Sequence, residues 1–324
     1  MRRVVARDAT SIVPGAPYAL VFPGQGAHLA DAESDVYQRS ATVRAVFEEA
    51  EATTGVSVRS LCLDEPSTEL RRTFTNQICM FVLGVASFAA WADIRRARDD
   101  AAEPFAAAGH SIGHFSALVA TEVIPYADAL DLVLRRARLM QEAADEIPGG
   151  MIAVITEGAE VIARRALEED PQYGACISSF NAPDQVVLSA PLPVLEQLDR
   201  RVRALGARHV LRLPVDAATH SPILNGAARE FASYVDKAAL RSPRYPLVLN
   251  SSGKRTLDLD EVRADLRTQL TAPVLWRQSV ETMLNEGVRL FVEMGPGRTL
   301  ARLVRRVGGR DIIAESFVRF LQPR

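Results

Sequence analysis

The chain has 324 residues, of which 48% are hydrophobic and 24% are charged, a balance typical of a globular protein with a large buried core. Its formal net charge of -2 predicts no general affinity for nucleic acid, and no apolar run reaches the roughly 20 residues of a membrane span. The three cysteines are too scattered for a disulfide framework or a zinc site, so we expect a reducing cytoplasm and no metal.

The first predicted elements are a leader, a strand and a glycine-rich turn. Residues 1–17 have no periodic pattern, whereas 18–22 form a short buried strand. The turn that follows contains Gln25 and His28. In a parallel sheet, this turn lies at the carboxyl edge, where α/β proteins bind ligands. A tight connection without function is the commoner alternative.

The second predicted strand runs directly into Gly-His-Ser-Ile-Gly, residues 109–113, and a helix begins immediately behind it. A serine between two glycines at such an elbow lies in strained backbone that exposes its hydroxyl. The amides of the helix N-terminus then face any oxyanion formed there. Ser111 is therefore a candidate nucleophile; the alternative is a chance match in which the serine only caps the helix.

After residue 148 the pattern becomes strand-helix-strand-strand-helix-strand, the split βαβ order of a ferredoxin-like module. We place this module at 149–213, inserted into a larger α/β domain formed by 18–148 and 214–324. Besides the elbow strand, the predicted strands are 18–22, 151–156, 175–180, 185–190, 208–213, 247–250 and 290–293. Besides the elbow helix, the predicted helices are 36–53, 76–98, 127–145, 159–169, 192–205, 223–239, 259–270, 274–287 and 298–306.

A serine nucleophile needs a base, and five histidines are candidates. His220 ranks first because it lies in a loop between the two domains, where catalytic groups concentrate. His110 is next to the serine in sequence, but we expect it to point away and to have a packing role. Asp216, four residues before His220, is a weaker candidate for a triad acid.

Five motifs occur in a fixed order along the chain. They are Phe-Pro-Gly-Gln-Gly at 22–26, Gly-His-Ser-Ile-Gly at 109–113, Thr-His-Ser-Pro at 219–222, Ala-Pro-Val-Leu-Trp at 272–276 and Glu-Met-Gly-Pro-Gly at 293–297. Over about residues 18–310 the chain resembles the malonyl-CoA:acyl carrier protein transacylase family of fatty acid and polyketide synthesis. The resemblance implies an α/β-hydrolase-like large domain with an inserted ferredoxin-like subdomain, and acyl transfer through an acyl-serine intermediate.

The resemblance implies catalytic roles for individual residues. Ser111 corresponds to the acylated nucleophile and His220 to its base. The amides of Gln25 and Ile112 correspond to the oxyanion hole. Gln269 corresponds to a glutamine beside the histidine, where a backbone carbonyl orients the imidazole in place of an aspartate.

The resemblance also implies substrate-binding residues. Arg136 corresponds to the arginine that holds the free carboxylate of a malonyl group; a solvated helix arginine is the alternative. Asn181 corresponds to a small-domain asparagine near the cleft. Thr219 and His114, which we place at the acyl pocket, and His28 differ from the family pattern, so the choice between malonyl and alkylmalonyl groups stays open.

The resemblance implies malonyl-CoA as acyl donor, the phosphopantetheine thiol of an acyl carrier protein as acceptor, and no bound cofactor. Carrier proteins are acidic, so a basic C-terminal face would steer a transient encounter. Its residues are Arg298, Arg302, Arg305, Arg306 and Arg310. We expect a cytoplasmic monomer that binds neither nucleic acid nor membrane. The alternatives are an acyltransferase between carrier proteins, an editing acyl hydrolase of the same fold, and a non-catalytic docking subunit.

Overall fold

The computed structural model describes residues 17–25, 37–38, 40–64, 68–97, 102–168, 171 and 173–320. Residues 1–16 of the predicted leader, and His28 in the first turn, lie outside this part of the chain. Ten strands are present in the described residues. They are β1 Tyr18–Phe22, β2 Ala106–Gly109, β3 Gly149–Ile155, β4 Cys176–Ala182, β5 Gln185–Pro191, β6 His209–Arg212, β7 Leu247–Val248, β8 Arg255–Thr256, β9 Leu290–Glu293 and β10 Ile313–Ser316.

Helices alternate with these strands over most of the chain. They are α1 Ala41–Thr54, α2 Val58–Leu63, α3 Thr73–Ala97, α4 Gly113–Ala120, α5 Tyr126–Glu146, α6 Ala159–Glu168, α7 Leu192–Ala204, α8 Asn225–Lys237, α9 Leu259–Thr268, α10 Trp276–Asn285 and α11 Thr299–Gly308. Short 3₁₀ turns lie at Thr68–Arg71, Pro222–Leu224 and Phe317–Phe320.

The larger sheet has six strands in the order β10-β9-β1-β2-β7-β8, all parallel except β8. Side chains of β1 alternate between two cores: Leu20 and Phe22 face one helical layer, whereas Ala19 and Val21 face the other. Both faces are therefore buried, as a parallel sheet requires. Strands β1 and β2 end side by side, with Phe22 opposite Gly109, so the segments that follow them meet at one edge.

The smaller sheet is antiparallel, with the order β4-β5-β3-β6. Ile152 and Val154 pack under α6 and α7, whereas Met151 and Ala153 face the rest of the molecule. This arrangement confirms the predicted ferredoxin-like module within an α/β fold. The domain boundaries at 148/149 and 213/214 stay a prediction.

Helix α3 is long and apolar enough to cross a membrane, but 72% of its most apolar window is buried inside the fold, as in a core helix. Strands β8 and β10 and helix α2 are absent from the sequence-based prediction. The short β10 includes Glu315 and Ser316, so its apolar pattern is weak. Strand β7 ends two residues earlier than predicted, and Asn250 lies beyond it, at the edge where β1 and β2 end.

Candidate active site

Ser111 lies at the turn between β2 and α4, with a φ of +52° that is rare for a residue with a side chain. The flanking glycines are required by close packing. A Cβ on Gly109 would lie 2.2 Å from the backbone of Gly113, and a Cβ on Gly113 would lie 2.2 Å from the carbonyl oxygen of Phe22. The predicted strand-turn-helix elbow is therefore present, and its strain is held by backbone contacts on both sides.

His220 meets this serine from the loop before α8. Its Nε2 atom is 2.7 Å from Ser111 Oγ, and its Nδ1 atom is 3.0 Å from the carbonyl oxygen of Ala272. A carbonyl only accepts, so we assign the imidazole proton to Nδ1, which leaves Nε2 to accept the serine proton. His220 also has a positive φ, +54°, so both members of the pair lie in strained backbone.

A backbone carbonyl orients His220, as the resemblance implies. The hydrogen bond to Nδ1 comes from Ala272, in the turn after α9, whereas the carbonyl of Gln269 makes a smaller contribution that also raises the pKa of His220. Asp216 is exposed, and Ala272 already binds Nδ1, so Asp216 is not a triad acid. The side chain of Gln269 instead donates to the carbonyl oxygen of Ser111 at 3.2 Å.

Arg136 is fully buried on α5, and its guanidinium points at the nucleophile. Its Nη2 atom is 3.3 Å from Ser111 Oγ, its Nε donates to Gln269 Oε1 at 3.1 Å, and its Nη1 donates to Gln77 Oε1. Among the described residues no carboxylate forms an ion pair with it. Two neutral amides thus hold a buried cation, which leaves its charge available to an anionic ligand.

Burial and this cation set the protonation states of the site. Burial, followed by the charges of Arg136 and His110, lowers the pKa of His220 to about 3. The imidazole is therefore neutral at pH 7, as a base must be. Burial also lowers the pKa of Arg136 to about 9, so the guanidinium keeps its charge at neutral pH.

Several predicted residues line the cleft above the pair. Gln25, Asn181 and Thr219 share it with Ser111 and His220. The side-chain Nε2 of Gln25 donates to Thr73 Oγ1 at 3.1 Å, which fixes the segment after β1. The hydroxyl of Thr219 instead faces Met151 Sδ at 3.1 Å.

Two histidines lie differently from the prediction. His110 lines the cleft, and its Nε2 atom is 3.0 Å from Asn181 Oδ1, so it links the elbow to the small sheet. His114, which we placed at the acyl pocket, is fully buried and is not among the lining residues of the cleft. It turns beneath the elbow instead, where its Nδ1 atom is 3.0 Å from Asn250 Nδ2. The reason is its position in the first turn of α4, on the side that faces Asn250.

Sequence reasoning missed Gln77, Asn250 and the carbonyl of Ala272. Gln77 lies in the apolar helix α3, where only its uncharged polar side chain marks it as unusual. Asn250 follows β7 and contacts the elbow across 139 positions of sequence, which no local pattern indicates. A backbone carbonyl carries no residue signature at all.

Comparison with known proteins is consistent with this geometry. Residues 19–318 match the acyl transferase domain family. The malonyl CoA-acyl carrier protein transacylase of Escherichia coli K12 is 34% identical over 292 residues, 90% of this chain and 92% of that protein. The crystal structure of a malonyl-CoA:acyl carrier protein transacylase from Xanthomonas oryzae superposes with a TM-score of 0.86 at 27% identity, covering 94% of this chain and 95% of the other.

A second structural relative is a type II polyketide synthase acyl carrier protein in complex with its malonyl-transacylase. The matched chain has a TM-score of 0.84 at 30% identity, with 93% of this chain and 95% of that chain covered. The family match over residues 19–318 includes both sheets and the residues that line the cleft.

Proposed function

Because the chain belongs to the malonyl-CoA:acyl carrier protein transacylase family of acyl transferase domains, we propose that it transfers a malonyl group from CoA to the phosphopantetheine thiol of an acyl carrier protein. The observation that carries the proposal is the position of Arg136. A buried guanidinium with no acidic partner in the described part of the chain lies 3.3 Å from the hydroxyl of a serine that is paired with a neutral histidine. Such a site fits an acyl group that ends in a carboxylate.

In the first half-reaction His220 Nε2 takes the proton of Ser111 as Oγ attacks the thioester carbonyl carbon. We assign the resulting oxyanion to the backbone amides of Gln25 and Ile112, which follow β1 and Ser111 at the same sheet edge. When the intermediate collapses, the C–S bond breaks, and His220 returns the proton to the departing CoA thiolate. The malonyl group is then an ester of Ser111.

The second half-reaction runs the same steps toward another thiol. The phosphopantetheine thiol loses its proton to His220, and its sulfur attacks the ester carbonyl carbon. The C–Oγ bond breaks, and Ser111 Oγ regains the proton from His220. One base therefore serves both directions, and the transfer is ping-pong.

Binding of the acyl carboxylate would also activate the base. The charge of Arg136 lowers the pKa of His220, so an anion that pairs with Arg136 weakens this effect and raises the basicity of Nε2. An acetyl group cannot do so. Selection of a dicarboxylic acyl group and activation of the nucleophile are coupled through one side chain.

We propose that the carrier protein approaches along α11, because three residues of this helix line the cleft: Thr299, Leu300 and Leu303. Arg305 and Arg306 of the predicted basic face are already paired, with Glu315 at 3.0 Å and Asp184 at 2.6 Å. The exposed arginines that are left to meet an acidic partner are Arg298, Arg302 and Arg310. The encounter would be transient and sensitive to salt.

The remaining parts of the proposal are a monomer that works in the cytoplasm and uses malonyl-CoA and the carrier's phosphopantetheine as substrates, without a resident cofactor. Transfer between carrier proteins, or editing hydrolysis of carrier-bound chains, would usually offer Arg136 no carboxylate. A docking subunit without activity would have no use for the strained Ser111–His220 pair.

The test is transfer between purified components. The protein is mixed with malonyl-CoA and a phosphopantetheinylated acyl carrier protein, and the mass of the carrier is followed with time. We expect malonyl-carrier to form with wild type and with Ser233→Ala, an exposed serine on α8, and to be lost with Ser111→Ala and His220→Ala. Equal formation of malonyl-carrier by wild type and Ser111→Ala would overturn the proposal.

A further inference from the structure

The elbow that presents Ser111 is held from below by one side chain that the catalytic steps do not use. Asn250 Oδ1 accepts from the backbone N–H of Ser111 at 2.9 Å, and its Nδ2 donates to the carbonyl oxygen of Gly109 at 2.7 Å. One amide thus binds the peptide groups on both sides of His110. The chain between these contacts is the segment that turns from β2 into the positive φ of Ser111.

The orientation of that amide is fixed without ambiguity. The N–H of Ser111 can only donate, so the atom facing it must be the oxygen of Asn250, and the nitrogen end faces Gly109 and His114. Because Nδ2 can only donate, His114 Nδ1 must accept, and the proton of His114 lies on Nε2. That atom is 3.5 Å from Asp265 Oδ2.

Asp265 contacts both Asn250 and His114. Its carboxylate accepts from the backbone N–H of Asn250 at 3.2 Å and of Ser251 at 2.8 Å, and from the hydroxyl of Ser251. Asp265, His114 and Asn250 are all buried. The carboxylate therefore holds the backbone of Asn250, and its charge faces the Nε2–H of His114, whose other ring nitrogen accepts from the amide of Asn250.

We propose that Asn250 is a positioning residue that holds the nucleophile elbow in its reactive conformation, and that Asp265 and His114 act through it. None of the three touches the cleft, so they would affect the reactivity of Ser111 and not the binding of an acyl group. The N–H of Ser111 already donates to Asn250 Oδ1, so the oxyanion is bound by other backbone amides. The inference rests on the proposed role of Ser111 as nucleophile, but not on the identity of the acyl group.

The test uses phenylmethylsulfonyl fluoride, which needs no knowledge of the substrate. Ser111 Oγ forms a bond to the sulfur, fluoride leaves, and His220 takes the hydroxyl proton. The second-order rate of sulfonylation is measured by intact mass. We expect Asn250→Ala to react at least about 10-fold more slowly than wild type, because the elbow loses both anchors, while Asn225→Ala, an exposed asparagine at the start of α8, reacts at the wild-type rate.

A second variant keeps the test decisive if Asn250→Ala does not fold. In Asp265→Asn the new amide nitrogen faces His114 Nε2, which favours the opposite tautomer and sets His114 Nδ1–H against Asn250 Nδ2–H. We expect slower sulfonylation with a far-ultraviolet spectrum like that of wild type. In a His114→Leu background the same substitution should have a smaller effect, as a double-mutant cycle would show.

The possible results distinguish the positioning role of Asn250 from the proposed role of Ser111 as nucleophile. A folded Asn250→Ala or Asp265→Asn protein that is sulfonylated within twofold of the wild-type rate overturns the inference, and an equal effect of Asp265→Asn with and without His114 overturns the role assigned to His114. If wild type itself is not sulfonylated at Ser111, the proposed nucleophile is wrong. A purely structural role would lower the urea midpoint and leave the rate in the folded protein unchanged.

Discussion

Arg136 is the residue whose environment gives the site its selectivity. A fully buried guanidinium is costly unless its donors are satisfied, and here two neutral glutamine oxygens and the serine hydroxyl satisfy three of them. The charge itself has no partner among the described residues. A substrate carboxylate would supply the missing countercharge where its acyl carbon meets Ser111.

Replacement of this cation should change the acyl group that the protein accepts. We expect Arg136→Met to lower the ratio of malonyl to acetyl transfer by about 100-fold, because two charge-assisted hydrogen bonds of about 1.5 kcal/mol each are lost. Parallel acylation with malonyl-CoA and acetyl-CoA, followed by quenching and intact mass, measures the ratio. Arg138→Met, an exposed arginine on the same helix, serves as the matched control. An unchanged ratio in Arg136→Met would remove the arginine from substrate selection.

The same variant should move the pH dependence of the base. Loss of a nearby cation favours the protonated imidazole, so the pKa of His220 rises from its lowered value toward the usual 6.5. A base works only above its pKa. Burial is the larger cause and remains, so the rise is partial: the acidic limb of the Ser111 acetylation rate should lie at a higher pH in Arg136→Met than in wild type. A rising limb at the same pH in both proteins would contradict the electrostatic link.

Helix α11 is the element that joins the cleft to the protein surface. Its first turn is capped from the end of β9 by Glu293, whose carboxylate accepts from the amides of Leu300 at 3.0 Å and Ala301 at 2.8 Å. Because the cap is a buried side chain of the central sheet, the helix has a fixed position relative to the elbow. Arg302, one turn from the cap, is exposed.

Charge reversal on this helix should affect the carrier and not CoA. We expect Arg302→Glu to raise the KM for an acyl carrier protein by about 5-fold to 10-fold at low salt, and less at high salt, because rim charges act mainly on encounter. Acylation of Ser111 by malonyl-CoA should stay unchanged. Arg229→Glu, at an exposed position on α8, gives the control for net charge. Equal loss in both variants would place the docking surface elsewhere.

At the scale of the whole molecule, buried titratable groups link stability to pH. Burial lowers the pKa of His110, His114 and His220 below the 6.5 of an unfolded histidine. The unfolded chain therefore binds more protons than the folded one at acidic pH. Their stabilising contribution is complete above about pH 6.5 and is lost as the pH falls. Glu293, whose pKa burial raises to about 7, acts in the opposite direction between its unfolded value of 4.5 and 7.

The three histidines outweigh Glu293, so the free energy of unfolding should decrease when the pH is lowered from 7 to 5.5. Each net proton changes it by about 1.4 kcal/mol per pH unit where the difference in binding is complete. Urea unfolding at the two pH values measures the change, with the denaturant slope as the check that the transition is unchanged. A higher free energy of unfolding at pH 5.5 would show that the histidines are charged in the folded protein.

Local sequence patterns were sufficient to predict the nucleophile elbow and the small sheet. The spacing of Gly109 and Gly113 around Ser111 predicted the elbow because close packing excludes any Cβ there. The alternation of apolar residues predicted the small sheet, and loop position singled out His220. The apolar pattern of β10 is too weak to predict a strand, because two of its four residues are polar.

The rest depended on contacts between distant segments. The family resemblance led us to expect His114 at the acyl pocket, but its side chain lies against Asn250 and Asp265 instead. Gln269 lies beside the histidine as expected, but the sequence does not show that the carbonyl 3.0 Å from Nδ1 belongs to Ala272. Neither outcome follows from residue type, because each depends on how the turns after β7 and α9 pack beneath the elbow.

The central claim is that Ser111 carries a malonyl group whose carboxylate pairs with Arg136. Its most direct test is the intact mass of the protein after exposure to an equimolar mixture of malonyl-CoA and acetyl-CoA, followed by peptide mapping. We predict a malonyl ester on Ser111 in wild type, no ester in Ser111→Ala, and mainly an acetyl ester in Arg136→Met. An acetyl ester on wild type in preference to malonyl, or a malonyl ester on any residue other than Ser111, would contradict the account.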